Sequence, residues 1–163
     1  MSAPADPRLI LRDEELDAGL ELMMLAEASL WAGVDAGLEA EAAQGLDGLG
    51  RSHWRAAFLL KRRPGLGVQD LARLTSLSKQ AASRVLSDLE AKGLAEKAQG
   101  DLDGRRRAAT LTPAGQAFED RVAERLRGQL ARAYRTGGLD GVAGTRAILG
   151  ALAGGRGKSG ASI

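Results

Sequence analysis

Residues 67–112, GVQDLARLTSLSKQAASRVLSDLEAKGLAEKAQGDLDGRRRAATLT, decide how this chain is read. Gly67 or Val68 opens a short helix in which Leu71, Ala72 and Leu74 turn inward and Asp70 sits near the positive end of the helix dipole. Thr75 to Leu77 make a turn. Ser78 stands where its hydroxyl can accept from an otherwise unpaired amide one turn into the next helix. That helix gathers Ala81, Ala82, Val85, Leu86 and Leu89 on one side and leaves Lys79, Gln80, Ser83, Arg84 and Ser87 on the other. Gly93 suits a left-handed C-terminal stop. Leu94 to Gln99 and Arg106 to Thr112 then read as paired strands around GDLDGRR, where Asp103-Gly104 favours positive φ and Arg105, Arg106 and Arg107 crowd the tip. The alanines at 95, 98, 108 and 109 are poor strand formers, so turn chemistry carries the hairpin. Two short helices, a reversal and a basic hairpin spell a winged helix-turn-helix. In that arrangement one helix fits a DNA major groove and a cationic loop reaches the neighbouring backbone or minor groove.

Outward from this run the pattern is helical. Thr112-Pro113 reads as the N-cap and first residue of a long helix with Phe118, Val122, Leu126, Leu130 and Tyr134 at four-residue steps. Gly137-Gly138 break it, and Leu139 to Leu152 form a last helix through Val142, Leu149 and Leu152. On the other side, Asp13 to about Leu38 places Leu16, Leu20, Met23, Trp31, Val34 and Leu38 on one face of an amphipathic helix begun by Asp13, Glu14 and Glu15. Residues 44–50 form a glycine-rich connection, and His53 to Arg63 resumes helical spacing until Pro64-Gly65 stop it. Residues 1–12 read as a loose arm and 154–163 as a flexible tail. The expected fold is mainly α with a small β-hairpin wing. A winged lobe over 51–112 is flanked by an N-terminal dimerisation helix and connection over 13–50 and by C-terminal dimerisation helices over 113–153. The flanking stripes carry more apolar face than a small lobe can cover, so a second copy of the chain is the economical partner; packing on one another as a monomeric bundle is the alternative.

Composition narrows the function classes. The 163 residues are rich in Ala, Leu and Arg and only 3% aromatic, which favours helices over a sandwich or barrel. With no cysteine, disulfides, thiolate metal sites and a thiol redox switch are excluded. No apolar run approaches the roughly 18 residues of a membrane helix, and the start lacks a signal-peptide pattern, so a cytoplasmic protein with no membrane partner is expected. The net charge of +2 conceals balances of −9 over residues 1–50, +7 over 51–107 and +4 over 108–163. Positive charge therefore gathers where the helix-turn-helix lies, as a phosphate-facing surface requires, although a solvated Lys/Arg face has the same composition. Catalysis finds no support: no nucleophile stands beside a base, and GLGV at 65–68 lacks the strand that a phosphate-binding glycine loop needs. Neither a cofactor nor a metal site is expected.

The element order, with SKQAASRVLSDLEAKGLAEK and DGRRRAATLTPAG, resembles the MarR family of bacterial regulators over roughly residues 13–152, most strongly from Val68 to Gly115. The resemblance implies a homodimer with interlocked terminal helices, two winged lobes on a pseudo-palindromic double-stranded DNA operator, and transcriptional regulation. Asp103 and Arg105 match the family's Asp-x-Arg wing pattern, in which the Arg enters the minor groove and the Asp helps hold it. Gly104 departs from the basic residue many members have there, a contact that Arg106 could supply. A small aromatic or lipophilic effector between the dimer and DNA-binding regions, and release of a repressor by it, are also what the family implies. No motif carries them over.

Roles follow as expectations. Gln80, Ser83 and Arg84 form the groove face, since Gln pairs with adenine, Arg with guanine or phosphate, and Ser with base or backbone; Ser87 continues the same side. Ser76, Ser78 and Lys79 clamp phosphate. Arg105 reads the minor groove, and Arg106 and Arg107 add contacts or stand as solvated charge. Trp31, His53 and Trp54 are candidates to line an effector pocket; core or interface anchoring is the alternative for the tryptophans, and packing for the histidine. A winged-helix scaffold that binds only protein, or a constitutive DNA-binding regulator without an effector, is the competing function.

Overall fold

The computed structural model describes residues 9–98 and 108–154. Helix α1 spans Asp13–Ala42, α2 Arg51–Arg62, α3 Val68–Thr75, α4 Lys79–Ala91 and α5 Pro113–Ala153, with strands β1 at Leu66–Gly67, β2 at Ala95–Lys97 and β3 at Ala108–Leu111. The strands form one antiparallel sheet in the order β1-β3-β2, with Leu66 opposite Ala109 and Ala95 opposite Leu111. The chain is thus mainly α with a small winged sheet.

Local chemistry sets the boundaries. The Glu15 carboxylate accepts from the Arg12 N–H at 3.0 Å and so helps start α1, whose first turn is acidic. Ser78 caps α4 by accepting from the Ala81 N–H at 3.1 Å, and Thr112 caps α5 by accepting from the Gly115 N–H at 3.1 Å ahead of Pro113. Gly93 has φ +70°, the left-handed geometry that ends α4.

Five details depart from expectation. The short strand β1 was not anticipated; two residues between a Pro-Gly stop and a helix carry no periodic signal, and only pairing with β3 makes them a strand. Helix α1 runs to Ala42 rather than ending near Leu38, and α2 begins at Arg51 rather than His53. Glu41 explains the first, because it is 2% exposed and receives a two-pronged bond from Arg121 of α5 at 2.7 and 2.7 Å, which holds the last turn of α1 down. The break in the C-terminal helix is confined to Gly138, with φ +67° and ψ −173°, while Gly137 remains helical. Among the described residues Leu94, Ala98 and Thr112 fall outside the wing strands, while residue 99 and the tip, with Asp103, Arg105, Arg106 and Arg107, lie outside the described residues.

The core joins all the helices. Val34 and Leu38 of α1, Leu60 of α2, Leu71 of α3, Leu86 and Leu89 of α4, and Phe118 and Val122 of α5 are buried in one cluster with Ala109 and Leu111 of β3. Each such leucine or phenylalanine removed from water contributes about 1.5–3 kcal/mol. Gly37 lets α1 and α5 approach closely, since a Cβ there would stand 3.0 Å from Val122 Cγ1. Glu119 of α5 is fully buried yet satisfied, with Lys61 Nζ at 2.9 Å and Arg62 Nη1 at 3.2 Å, so α2 is fastened to α5 by charge as well as packing.

Candidate DNA-binding face and adjoining cleft

The turn between α3 and α4 is built tightly. Thr75 is buried and donates its hydroxyl to the Leu71 carbonyl at 2.6 Å, Ser76 adopts φ +58°, and the Leu77 N–H returns to the Ala72 carbonyl at 3.0 Å. The apolar side of α4, Ala82, Val85, Leu86 and Leu89, is pinned into the core. Its opposite side therefore faces out. Lys79, Gln80, Arg84 and Ser87 are exposed and Ser83 is partly so; together with Asp88 they line one open groove. Ser76 and Ser78 are exposed at its N-terminal end. The Ser87 hydroxyl donates to the Ser83 carbonyl at 3.1 Å. The structure brings these seven residues together on one end of the molecule; Asp88, on the same face, was not foreseen.

A second feature lies between α1, α2 and α5. A cleft of about 620 Å³ is walled by Trp31, Trp54, Phe58 and Leu126, with Arg62 and Arg127 among its lining residues. Trp31 and Trp54 meet edge-to-face with ring centroids 6.4 Å apart, and Trp54 and Phe58 are 5.3 Å apart. Trp31 donates its indole N–H to Glu27 at 3.2 Å and is flanked by the guanidinium groups of Arg51 and Arg55 at 5.2 and 5.7 Å from its ring. Among the described residues the Trp54 indole nitrogen is buried without a hydrogen-bond partner, a donor that an acceptor placed beside it would satisfy. Arg62 stacks over Phe58 at 3.3 Å.

Charge holds the cleft's supports in place. Lys61 and Arg127 both bond Asp120, at 2.6 and 3.0 Å, and these bonds, Lys61 first, hold the Asp120 carboxyl below the usual aspartate range. Arg51 does the same to Asp35 by a hydrogen bond, tying α2 to α1 beside Trp31.

His53 parts from the tryptophans with which it was grouped. It is not among the residues lining the cleft: its Nδ1 accepts from the Gly50 N–H at 2.9 Å, and its Nε2 lies 3.1 Å from Asp88 Oδ2 on α4. Successive residues of a helix point about 100° apart, so Trp54 turns to the cleft while His53 turns to α4. Spacing from Trp54 through Phe58 to Arg62, four residues each, was a signal for the cleft wall on α2. Leu126 and Arg127 had none, since they reach it only through the docking of α5.

Three helices, a three-stranded antiparallel wing and an outward-facing polar helix after a tight turn define a winged helix-turn-helix protein. The sequence model of the MarR family matches residues 47–106. The chain is 36% identical over 144 residues to the HTH-type transcriptional regulator PetP of Rhodobacter capsulatus, covering 88% of this chain and 83% of that one. Among solved structures it is similar to a MarR family transcriptional regulator from Silicibacter pomeroyi, at 25% identity, with 87% and 90% of the two chains covered and a TM-score of 0.69. It is also similar to the Mycobacterium tuberculosis MarR family protein Rv2887 in complex with p-aminosalicylic acid, at 27% identity over 81% of this chain and 95% of that one, with a TM-score of 0.58. The chain belongs to the MarR family of DNA-binding transcriptional regulators, and it is not an enzyme.

Proposed function

We propose that this regulator is a homodimer that reads a pseudo-palindromic operator through α4 and the wing, and that a small aromatic acid bound in the cleft releases it. The observation that carries the reading is the outward side of α4, where Lys79, Gln80, Ser83 and Arg84 stand together on a helix pinned by its other face. Gln80 and Arg84 are suited to base edges, Ser83 and Ser87 to base or backbone, and Ser76, Ser78 and Lys79 to phosphate. Arg105, held by Asp103, enters the minor groove, with Arg106 and Arg107 on the flanking backbone.

Dimerisation is supported by apolar surface that one chain leaves open. Leu16 and Leu20 of α1 are 46% and 56% exposed, and Leu149 and Leu152 of α5 are 53% and 65% exposed. Residues 13–50 and 113–153 thus serve as the dimerisation segments, and 51–112 as the reading lobe. Two-fold symmetry sets the two copies of α4 about 34–36 Å apart, one turn of DNA. A transcription regulator of this kind works in the cytoplasm.

The cleft supports the effector. Its walls are aromatic, and the guanidinium groups of Arg62 and Arg127 among its lining residues supply cations for a carboxylate. The relative Rv2887 has been captured with p-aminosalicylic acid and with salicylic acid. Repression follows where the operator overlaps a promoter.

The test is a fluorescence-anisotropy titration of a duplex selected by the protein from a random-sequence pool, across salt and with and without salicylate. Tight binding that weakens steeply with salt, a loss of about 1–3 kcal/mol in Arg84→Ala, and release by salicylate with tryptophan quenching are expected. A protein that selects no duplex is a scaffold instead, and release without tryptophan response moves the effector elsewhere.

A further inference from the structure

We infer that His53 is a positioning residue of the DNA-binding face: it engages the Asp88 carboxylate and keeps it from closing on Arg84. Asp88 follows Arg84 by four residues on α4, the spacing at which opposite charges pair along a helix, and both line the groove with Lys79 and Gln80. A carboxylate free on that face would neutralise Arg84 and repel phosphate. Yet among the described residues Arg84 has no ion pair, and the Asp88 carboxylate is engaged by His53 instead.

The imidazole is set for this. Because Nδ1 accepts from the Gly50 N–H at 2.9 Å, Nε2 is the nitrogen that carries the hydrogen, and it donates to Asp88 Oδ2 at 3.1 Å. The His53 side chain is 14% exposed against 47% for Asp88, so the partly buried ring is the fixed partner and the carboxylate the one that is steered. One residue thereby caps the start of α2 and clears the reading face of α4.

This inference rests on the proposed role of Arg84 in contacting DNA, and the variants separate the two. His53→Asn keeps an amide oxygen near the position of Nδ1 for the Gly50 N–H but is too short to reach Asp88. Asp88→Asn in that background removes the freed charge. With the duplex selected by the wild-type protein, His53→Asn should weaken binding about two- to fivefold, the worth of an exposed helical ion pair in each of two protomers, and the double variant should restore it. Thermal unfolding of each variant distinguishes this from lost stability, which Asp88→Asn would not restore. Unchanged binding by His53→Asn, or a double variant no better than the single, overturns the inference. Unchanged binding by Arg84→Ala overturns the role of Arg84 and this inference with it.

Discussion

Replacing Gly115 by alanine should destabilise the protein far more than a methyl group in a helix normally does. A Cβ at this position would stand 1.8 Å from the Leu94 carbonyl oxygen and 2.8 Å from its carbon, where real Cβ contacts essentially never come within 3.0 Å. The obstacle is backbone, so it cannot rotate away; the first turn of α5 and the root of the wing must separate by more than 1 Å. That junction is held by the Thr112 N–H to the Leu94 carbonyl at 3.1 Å, by the Thr112 hydroxyl to the Gly93 carbonyl at 2.6 Å, and by the cap from Gly115 to Thr112 at 3.1 Å. Overpacking costs about 1–3 kcal/mol and strain equivalent to one of these bonds about 0.5–1.5 kcal/mol, so a loss of about 2–4 kcal/mol is expected. For a chain of 163 residues that lowers the melting temperature by about 5–15 °C. Gly19 supplies the control, because it lies in α1 with nothing within 4 Å of the added Cβ; there alanine should stabilise by about 0.5–1 kcal/mol. Calorimetry at one fixed protein concentration decides it, since a dimer's melting point depends on concentration. A Gly115→Ala protein melting within 2 °C of wild type would refute the backbone clash.

Acid and association give two further predictions. The Asp120 carboxyl is held below the usual aspartate range chiefly by its bond from Lys61, so its contribution to stability is present above about pH 4 and is lost as pH falls through the lower folded-state value. Lys61→Met should therefore lose less melting temperature than wild type between pH 5 and pH 3; identical acid slopes would remove Lys61 as the cause. Leu149→Asp with Leu152→Asp places charge on exposed apolar positions of α5 and should convert the proposed dimer to monomer in sedimentation velocity, with operator affinity falling as paired half-sites are lost. A variant that stays dimeric moves the interface off this surface.

What could be read from the sequence was whatever is decided within a few residues. Ser78, Thr112-Pro113 and Gly93 act through bonds to neighbours three or four positions away, and the two faces of α4 follow from helical period alone. What escaped depends on partners distant in sequence. The extra turn of α1 exists because Glu41 meets Arg121, 80 residues on, and β1 exists because Ala109 comes to lie beside Leu66. His53 is the sharpest case. Its neighbour Trp54 suggested a shared pocket, yet the rotation between adjacent helical residues sends the two side chains to different parts of the fold, and Asp88 lies 35 positions away.

Helix α2 consequently touches both places where function is proposed. Trp54, Phe58 and Arg62 form part of the cleft wall, while His53, in the first turn of the same helix, bonds Asp88 on α4. That helix of 12 residues is also held at its far end by Lys61 and Arg62 against buried Glu119. On the proposed reading, a ligand that displaced the aromatic wall would reach the operator face through the His53–Asp88 contact. The ligand must also bind the DNA-incompetent arrangement more tightly than the competent one, by about 1.4 kcal/mol for each tenfold loss of operator affinity. The Trp54 indole N–H is one group that can supply part of that difference, because among the described residues it is buried without a partner and an acceptor reaching it would reward a shift of α2 that exposes it.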